Sequence, residues 1–127
     1  VNKMKDKGYS LIICVDNGIK AHEAINEARK NNIDIIVLDH HTQEETLPNF
    51  NLFLHPELSN FSEYNMCGAS ICYYVSNCLL GTKDDICLTL AGIATVGDVM
   101  PLIDQNKLLV YEALAYLNKR KYCVFLF

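Results

Sequence analysis

Two short apolar segments, each followed directly by polar residues, constrain the fold of this chain most strongly. They run from Leu11 to Val15 and from Ile33 to Leu38, and both are rich in β-branched residues. Runs of this length and composition are typical of β-strands, and the second is apolar enough to be buried on both faces. The sequence therefore predicts two core strands that end in chemically active side chains.

The segment between these strands has the apolar spacing of a helix. Ala21, Ala24, Ile25 and Ala28 recur at i, i+3, i+4 and i+7, and charged or amide side chains fill most positions between them. A strand, a helix and a strand within about 30 residues predict a parallel pair joined by a right-handed crossover.

The residues that follow the two strands are consequently expected at one edge of the sheet. Asp16 follows the first strand, whereas Asp39, His40 and His41 follow the second. Open α/β sheets bind their ligands at the carboxyl ends of parallel strands. This edge is therefore the candidate site.

The rest of the chain predicts one more short strand and a mainly helical second half. The strand is expected at about residues 51–54, with His55 interpreted as a turn residue after it. Helices are expected at 67–80, 85–96 and 105–118. The first two are apolar nearly all round, which predicts burial, and the third is amphipathic. Its inward residues are predicted to be Leu109, Ala113, Leu114 and Leu117.

Composition is that of a single-domain globular protein of a reducing compartment. Its 127 residues suffice for about one domain, and half of them are apolar. No apolar run has the length of a membrane span, and no signal peptide opens the chain. The six cysteines include no C-x-x-C pair, which argues against a zinc knuckle or a disulfide framework. We expect a cytoplasmic protein that does not bind membranes.

Both ends of the sequence have the features of an incomplete chain. The sequence does not start with Met, and residues 121–127 form a largely apolar tail. We therefore expect the fold to be incomplete at both ends.

Asp98 is a lone acid among apolar neighbours, between Gly97 and Val99 and shortly before Pro101. Such an acid must be paired, cap a helix or bind a cation. Taken alone, its position favours capping over cation binding.

Three motifs in order resemble the DHH phosphoesterase superfamily. "VDNG" ends the first strand, "DHH" ends the second, and "GDVMPL" follows the helical segment "LAGIATV". The last motif, with "CGASICYYV" and "HPEL", is similar to the RecJ-type single-strand-specific exonucleases. The resemblance covers residues 5–120 and implies that 1–127 is part of a DHH catalytic domain.

The resemblance implies a role for each residue of the site. Asp16, His40 and Asp98 match metal ligands, so that we expect them to converge on one site, with Asp16 shared between two ions. His41 matches a residue near the substrate phosphate, and Asp39 is expected to orient an imidazole. The ions would be Mn²⁺ or Mg²⁺, and a site of carboxylates with one or two imidazoles suits Mn²⁺ best.

The function implied is metal-dependent 5′-to-3′ hydrolysis of single-stranded DNA in DNA repair and recombination. In the complete protein, single-strand-binding proteins or helicases are expected partners. The superfamily's upstream strand with an aspartate pair has no match before Asp16, and neither has a C-terminal nucleic-acid-binding region. The net charge is −4, although DNA binding relies on clustered basic residues. We therefore expect these 127 residues to be inactive alone.

Two other functions remain open. The chain could belong to another DHH phosphoesterase, acting on oligoribonucleotides, cyclic dinucleotides or pyrophosphate, or it could be a truncated product without catalytic activity. Lys3, Lys5, Lys7 and the run 119–121 are interpreted mainly as solvated surface, and His22 as an exposed or capping residue.

Overall fold

The structure, a computed structural model, describes residues 1–61 and 65–119. Its elements are α1 (Asn2–Asp6), β1 (Leu11–Val15), α2 (His22–Lys30), β2 (Asp34–Leu38), β3 (Leu52–Leu54), α3 (Gly68–Leu80), α4 (Asp85–Gly97) and α5 (Asp104–Lys119). Three strands with a helix between the first two, followed by three helices, confirm the predicted α/β class. The apolar tail at 121–127 and most of the basic run at 119–121 lie outside the described residues.

The chain divides into two compact units, Val1–Ser62 and Glu63–Phe127. The first unit holds α1, α2 and the three strands, and the second holds α3, α4 and α5. No helix within the described part of the chain is both long enough and apolar enough to span a membrane.

The sheet has the order β1-β2-β3 and is parallel throughout. Val15 lies opposite Leu38, and Leu38 in turn lies opposite Leu54. This confirms the predicted parallel pair and adds a third strand in the same direction. The carboxyl ends of all three strands therefore lie side by side at one edge.

Helix α2 forms the core of the first unit together with one face of the sheet. The buried core residues are Ile25, Ala28, Ile33, Ile35 and Val37. The predicted inward stripe of the helix was partly wrong, since Ala24 is exposed. The contact face of this short helix is centred on Ile25 and Ala28, and Ala24 falls beside it.

The other face of the sheet is less covered than the sequence predicts. Leu11, Ile13 and Val15 of β1 are 41–54% exposed, and Ile36 of β2 is half-buried. The prediction that the second strand is buried on both faces was therefore only partly right. Apolar composition shows that a strand can be buried, but it does not show which of its faces is covered.

In the second unit, α4 packs against both α3 and α5. The buried cluster between them contains Tyr73, Leu88, Ala91 and Leu109. Gly92 allows close approach, because a Cβ at this position would overlap the Cβ of Ala113 on α5. The two helices are thus in contact at backbone distance.

The predicted burial of these helices was partly wrong. Exposed apolar side chains of α3 and α4 are Leu79, Leu80, Ile86, Leu90, Ile93 and Val96. On α5, Leu109 and Ala113 are buried as predicted, but Leu114 is 53% exposed. Two neighbours cover only part of the circumference of α4 within the described second unit, so an all-round apolar sequence does not ensure all-round burial.

Candidate metal centre

Each strand of the sheet is followed by a polar residue at the shared carboxyl edge. Asp16 follows β1, Asp39 follows β2 and His55 follows β3. The ladder continues one residue beyond the strands, since the Asp16 amide donates to the Leu38 carbonyl at 2.8 Å and the Asp39 amide donates to the Leu54 carbonyl at 3.1 Å. The three loops therefore begin at adjacent, hydrogen-bonded positions.

The loop after β1 depends on a glycine. Gly18 has φ +111, and a Cβ there would lie 3.1 Å from the Cβ of Cys14 and 3.3 Å from Cγ2 of Val37. A larger residue would be strained and crowded against the end of the sheet. The turn places the amide of Ile19 opposite the end of β2, where it meets Asp39.

Asp39 is buried and connects the loops after β1 and β2. It is 1% exposed, and its Oδ2 accepts a hydrogen bond from the Ile19 amide at 3.0 Å. Its Oδ1 accepts from the amides of His40 and His41 at 2.9 and 3.3 Å, and lies 2.7 Å from Nδ1 of the His41 ring. One carboxylate thus holds both loops and one imidazole.

The same hydrogen bonds keep Asp39 ionised. Burial alone would raise the pKa of its carboxyl, but the bonds from the Ile19 amide, the His41 ring and the two histidine amides outweigh burial and hold the pKa below its usual value. A carboxylate can only accept, so Nδ1 of His41 carries the proton. Nε2 is then the nitrogen of His41 that remains for a metal ion or a phosphate.

Asp16, His40 and His41 form a cluster suited to a divalent cation. One ligand atom from each of the three lies within 4.8 Å of the others. Nε2 of His40 is 3.2 Å from Oδ1 of Asp16, and the two imidazole centroids are 4.6 Å apart. One carboxylate and two imidazoles are ligands that Mn²⁺ and similar ions accept. The described residues therefore fit a metal ion at this edge.

A cavity of about 260 Å³ opens beside the cluster, lined by Asp16, Asn17, Gly18, Ile19, Lys20, Asp39 and His41. Lys20 among these residues carries a positive charge that would attract a phosphate group. Beneath the loop, burial and the charge of Asp39 raise the pKa of the Cys14 thiol. The Cys14 thiol therefore stays protonated near pH 7.

Four of the residues predicted for the site, Asp16, Asp39, His40 and His41, lie together in the first unit. Asp98 belongs to the second unit, where it is exposed, and its backbone amide donates to the Ala94 carbonyl at the end of α4. The ligand roles of Asp16, His40 and Asp98 stay predictions. The cluster adds one option, because His41 also lies within reach of an ion bound by the other two.

His55 was interpreted from the sequence as a turn residue, and the structure gives it a further contact. It is 1% exposed, and its Nε2 lies 2.8 Å from the backbone carbonyl of His41. The signal that could have identified it is its position after a third parallel strand. His22, in contrast, starts α2, with its Nε2 3.5 Å from Oε2 of Glu44.

Comparison with known proteins matches this chain to a family model and to relatives of known activity. The model of the "DHH family, N-terminal domain" matches residues 2–97. The single-stranded-DNA-specific exonuclease RecJ of Bacillus subtilis is 33% identical over 118 residues, which is 91% of this chain and 15% of the relative. RecJ of Escherichia coli is 30% identical over 138 residues, covering 95% of this chain and 24% of that protein.

Solved structures agree with the sequence relatives. RecJ of Thermus thermophilus in complex with Mn²⁺ superposes with a TM-score of 0.79 at 29% identity, over 94% of this chain and 19% of that chain. An exonuclease RecJ bound to manganese gives a TM-score of 0.75 at 30% identity, over 91% and 31%. The chain therefore spans less than a third of the length of each relative named here.

Proposed function

This chain belongs to the DHH family, and we propose that it forms part of a metal-dependent nuclease that hydrolyses phosphodiester bonds. The observation that carries the proposal is the cluster of Asp16, His40 and His41 at the carboxyl edge of a parallel sheet. The same fold, at 29–30% identity, occurs in RecJ structures that contain manganese.

The substrate we propose is single-stranded DNA, degraded from 5′ to 3′ during DNA repair and recombination in the cytoplasm. Support comes from the relatives, which are named single-stranded-DNA-specific exonucleases. We also propose single-strand-binding proteins or helicases as partners of the whole protein. A substrate of oligoribonucleotides or cyclic dinucleotides is the alternative that the assay below distinguishes.

In the proposed mechanism, the residues of this chain hold the ions and orient the phosphate. Bound Mn²⁺ or Mg²⁺ would neutralise the phosphodiester charge and activate the water that attacks it. Asp16 and His40 would hold the ions, and Asp98 is proposed as a further ligand. Asp39 holds the His41 ring by its 2.7 Å contact with Nδ1, which leaves Nε2 of His41 to contact the phosphate or an ion.

The test compares two single substitutions in the whole protein that carries this chain. Asp16→Ala should abolish Mn²⁺-dependent release of nucleotides from 5′-labelled single-stranded DNA, because the cluster would lose its carboxylate. The matched control is His22→Ala, whose ring nitrogen Nε2 lies 3.5 Å from Oε2 of Glu44. That variant should retain nearly the whole rate.

Equal losses from both substitutions would show that the site is misassigned. The same assay with oligoribonucleotides and cyclic dinucleotides identifies the substrate. Faster hydrolysis of either than of single-stranded DNA would contradict the proposed specificity, while leaving the metal centre in place. Absence of hydrolysis on all substrates by the whole protein would indicate a product without catalytic activity.

A further inference from the structure

We propose that His55 is a positioning residue that holds the loop of His40 and His41 in its metal-binding geometry. This inference deepens the proposed function and rests on the metal centre described above. His55 contacts no proposed substrate atom and binds no ion in this proposal. It acts through the main chain of His41.

The contact between His55 and His41 shows which ring nitrogen of His55 carries the proton. The side chain of His55 is buried, and its Nε2 lies 2.8 Å from the carbonyl oxygen of His41. Because a carbonyl oxygen can only accept, Nε2 must carry the hydrogen and donate it. The bond therefore requires one specific tautomer of His55.

The backbone of His55 is itself held in place. Its amide donates to Oγ of Ser59 at 3.1 Å, and the Ser59 amide donates back to the His55 carbonyl at 2.8 Å. The preceding residue, Leu54, is the last of β3 and accepts from the amide of Asp39. The His55 ring therefore donates its hydrogen bond from a turn that is closed by Ser59 and anchored at the end of β3. The acceptor, the His41 carbonyl, belongs to the irregular loop after β2.

Packing alone does not account for a histidine at this position. Nδ1 of His55 is buried and has no hydrogen-bond partner among residues 1–61 and 65–119. Burying such a nitrogen costs free energy that a phenylalanine of similar size would avoid. The compensating feature is the hydrogen bond from Nε2 to His41.

His41 is consequently held at two points by buried side chains. Asp39 accepts from its amide and its ring, and His55 donates to its carbonyl. The His41 side chain itself is 55% exposed. Residues that support metal ligands in this indirect way typically change metal affinity by about 10–100-fold when they are replaced.

The experiment measures Mn²⁺ affinity by isothermal titration calorimetry, well below the melting temperature, for the protein that carries this chain. His55→Phe keeps the volume and removes the donor, so we expect about tenfold weaker binding. His55→Gln restores a donor at similar reach and should recover a large part of the loss. His22→Phe is the matched control, and its affinity should equal that of the unchanged protein.

A second measurement uses the unchanged protein and therefore tests the inference even if His55→Phe does not fold. Long-range proton–nitrogen NMR spectra report which nitrogen of each histidine ring carries the proton. We expect the proton of His55 on Nε2. A proton on Nδ1 instead would exclude the hydrogen bond to His41 and overturn the inference.

The outcomes separate this inference from the proposed function. One outcome is that the unchanged protein binds Mn²⁺, that Asp16→Asn abolishes this binding and that His55→Phe leaves it unchanged. The positioning role of His55 is then wrong, and the metal centre stands. If the unchanged protein binds no Mn²⁺, the metal centre and the positioning role both fail. A loss with His55→Phe that His55→Gln partly restores supports the positioning role, because a purely structural role would lower stability without this rescue of affinity.

Discussion

At the scale of single residues, Asp39 is the most connected group of the site. It is the first residue after β2, it is buried, and its two oxygens accept hydrogen bonds from Ile19, His40 and His41. All of these partners are donors, so the position requires a group that only accepts. A carboxylate satisfies this requirement, whereas the isosteric amide does not.

We therefore predict that Asp39→Asn destabilises the chain by about 1–3 kcal/mol, because one buried donor would face the new amide group and lose its acceptor. Denaturant unfolding at pH 7 measures this difference. The matched control is Asp34→Asn at the exposed start of the same strand, where a side-chain oxygen remains available to Nδ2 of Asn51. We expect a change below about 0.5 kcal/mol for this control.

The effect of Asp39→Asn should depend on pH in a specific direction. The pKa of Asp39 is lowered in the folded chain, so its charge stabilises the fold above the ordinary carboxyl pKa of about 3.9. This contribution disappears as the pH falls through the lowered pKa. The two proteins should thus differ most near pH 7 and converge in acid. A difference that grows below pH 4 would contradict the assignment.

At the scale of elements, two helices of the second unit end in different ways. Helix α3 ends at Gly81, which has φ +65 and thus supplies the left-handed residue that such an end requires. Helix α4 ends in a Schellman motif, with the Met100 amide donating to the Thr95 carbonyl and the Val99 amide to the Val96 carbonyl. Here the left-handed residue is Val99, a β-branched side chain with φ +55 that is 87% exposed.

We predict that Val99→Gly stabilises the chain by about 1–2 kcal/mol, because glycine adopts the left-handed conformation without the Cβ clash of valine. Urea unfolding of the two proteins measures the gain. Val96→Gly, three residues earlier inside α4, is the control and should instead destabilise by about 1 kcal/mol or less. Loss of stability with Val99→Gly would show that the valine side chain makes contacts that outweigh its backbone strain.

At the scale of the whole molecule, the chain consists of two compact units and carries a net charge of −4. The cluster of Asp16, His40 and His41 in the first unit offers one carboxylate and two imidazoles. A mechanism with two metal ions needs a further set of ligands. DNA binding also requires clustered positive charge, and a net charge of −4 does not favour it.

We therefore predict that the 127 residues on their own hydrolyse single-stranded DNA very slowly or not at all. The measurement is nucleotide release from 5′-labelled single-stranded DNA by the purified short chain with Mn²⁺. The comparison is a longer protein that includes the same residues, which we expect to be active. Rapid release by the short chain that is lost with Asp16→Ala would show that its own ligands suffice.

The sequence by itself determined the order of the elements and the edge that carries the site. The spacing of apolar residues predicted the bounds of β1, α2 and β2 to within a residue or two. This was possible because such spacing depends only on neighbours along the chain. Since parallel strands end at one edge, the positions of Asp16 and His40 followed. The ends of α3 and α4 at Gly81 and Asp84 likewise agree with the helices expected at 67–80 and 85–96, because helix ends depend on local hydrogen bonding.

Only the tertiary structure decided which faces are covered and which distant groups meet. Ala24 and Leu114 are exposed because a helix buries the face that its neighbours cover, and an apolar pattern does not identify those neighbours. The bonds from Ile19 to Asp39 and from His55 to His41 join positions 20 and 14 residues apart. Such bonds exist only after the parallel sheet has brought three strand ends together, which is why the structural role of His55 was not visible in the sequence.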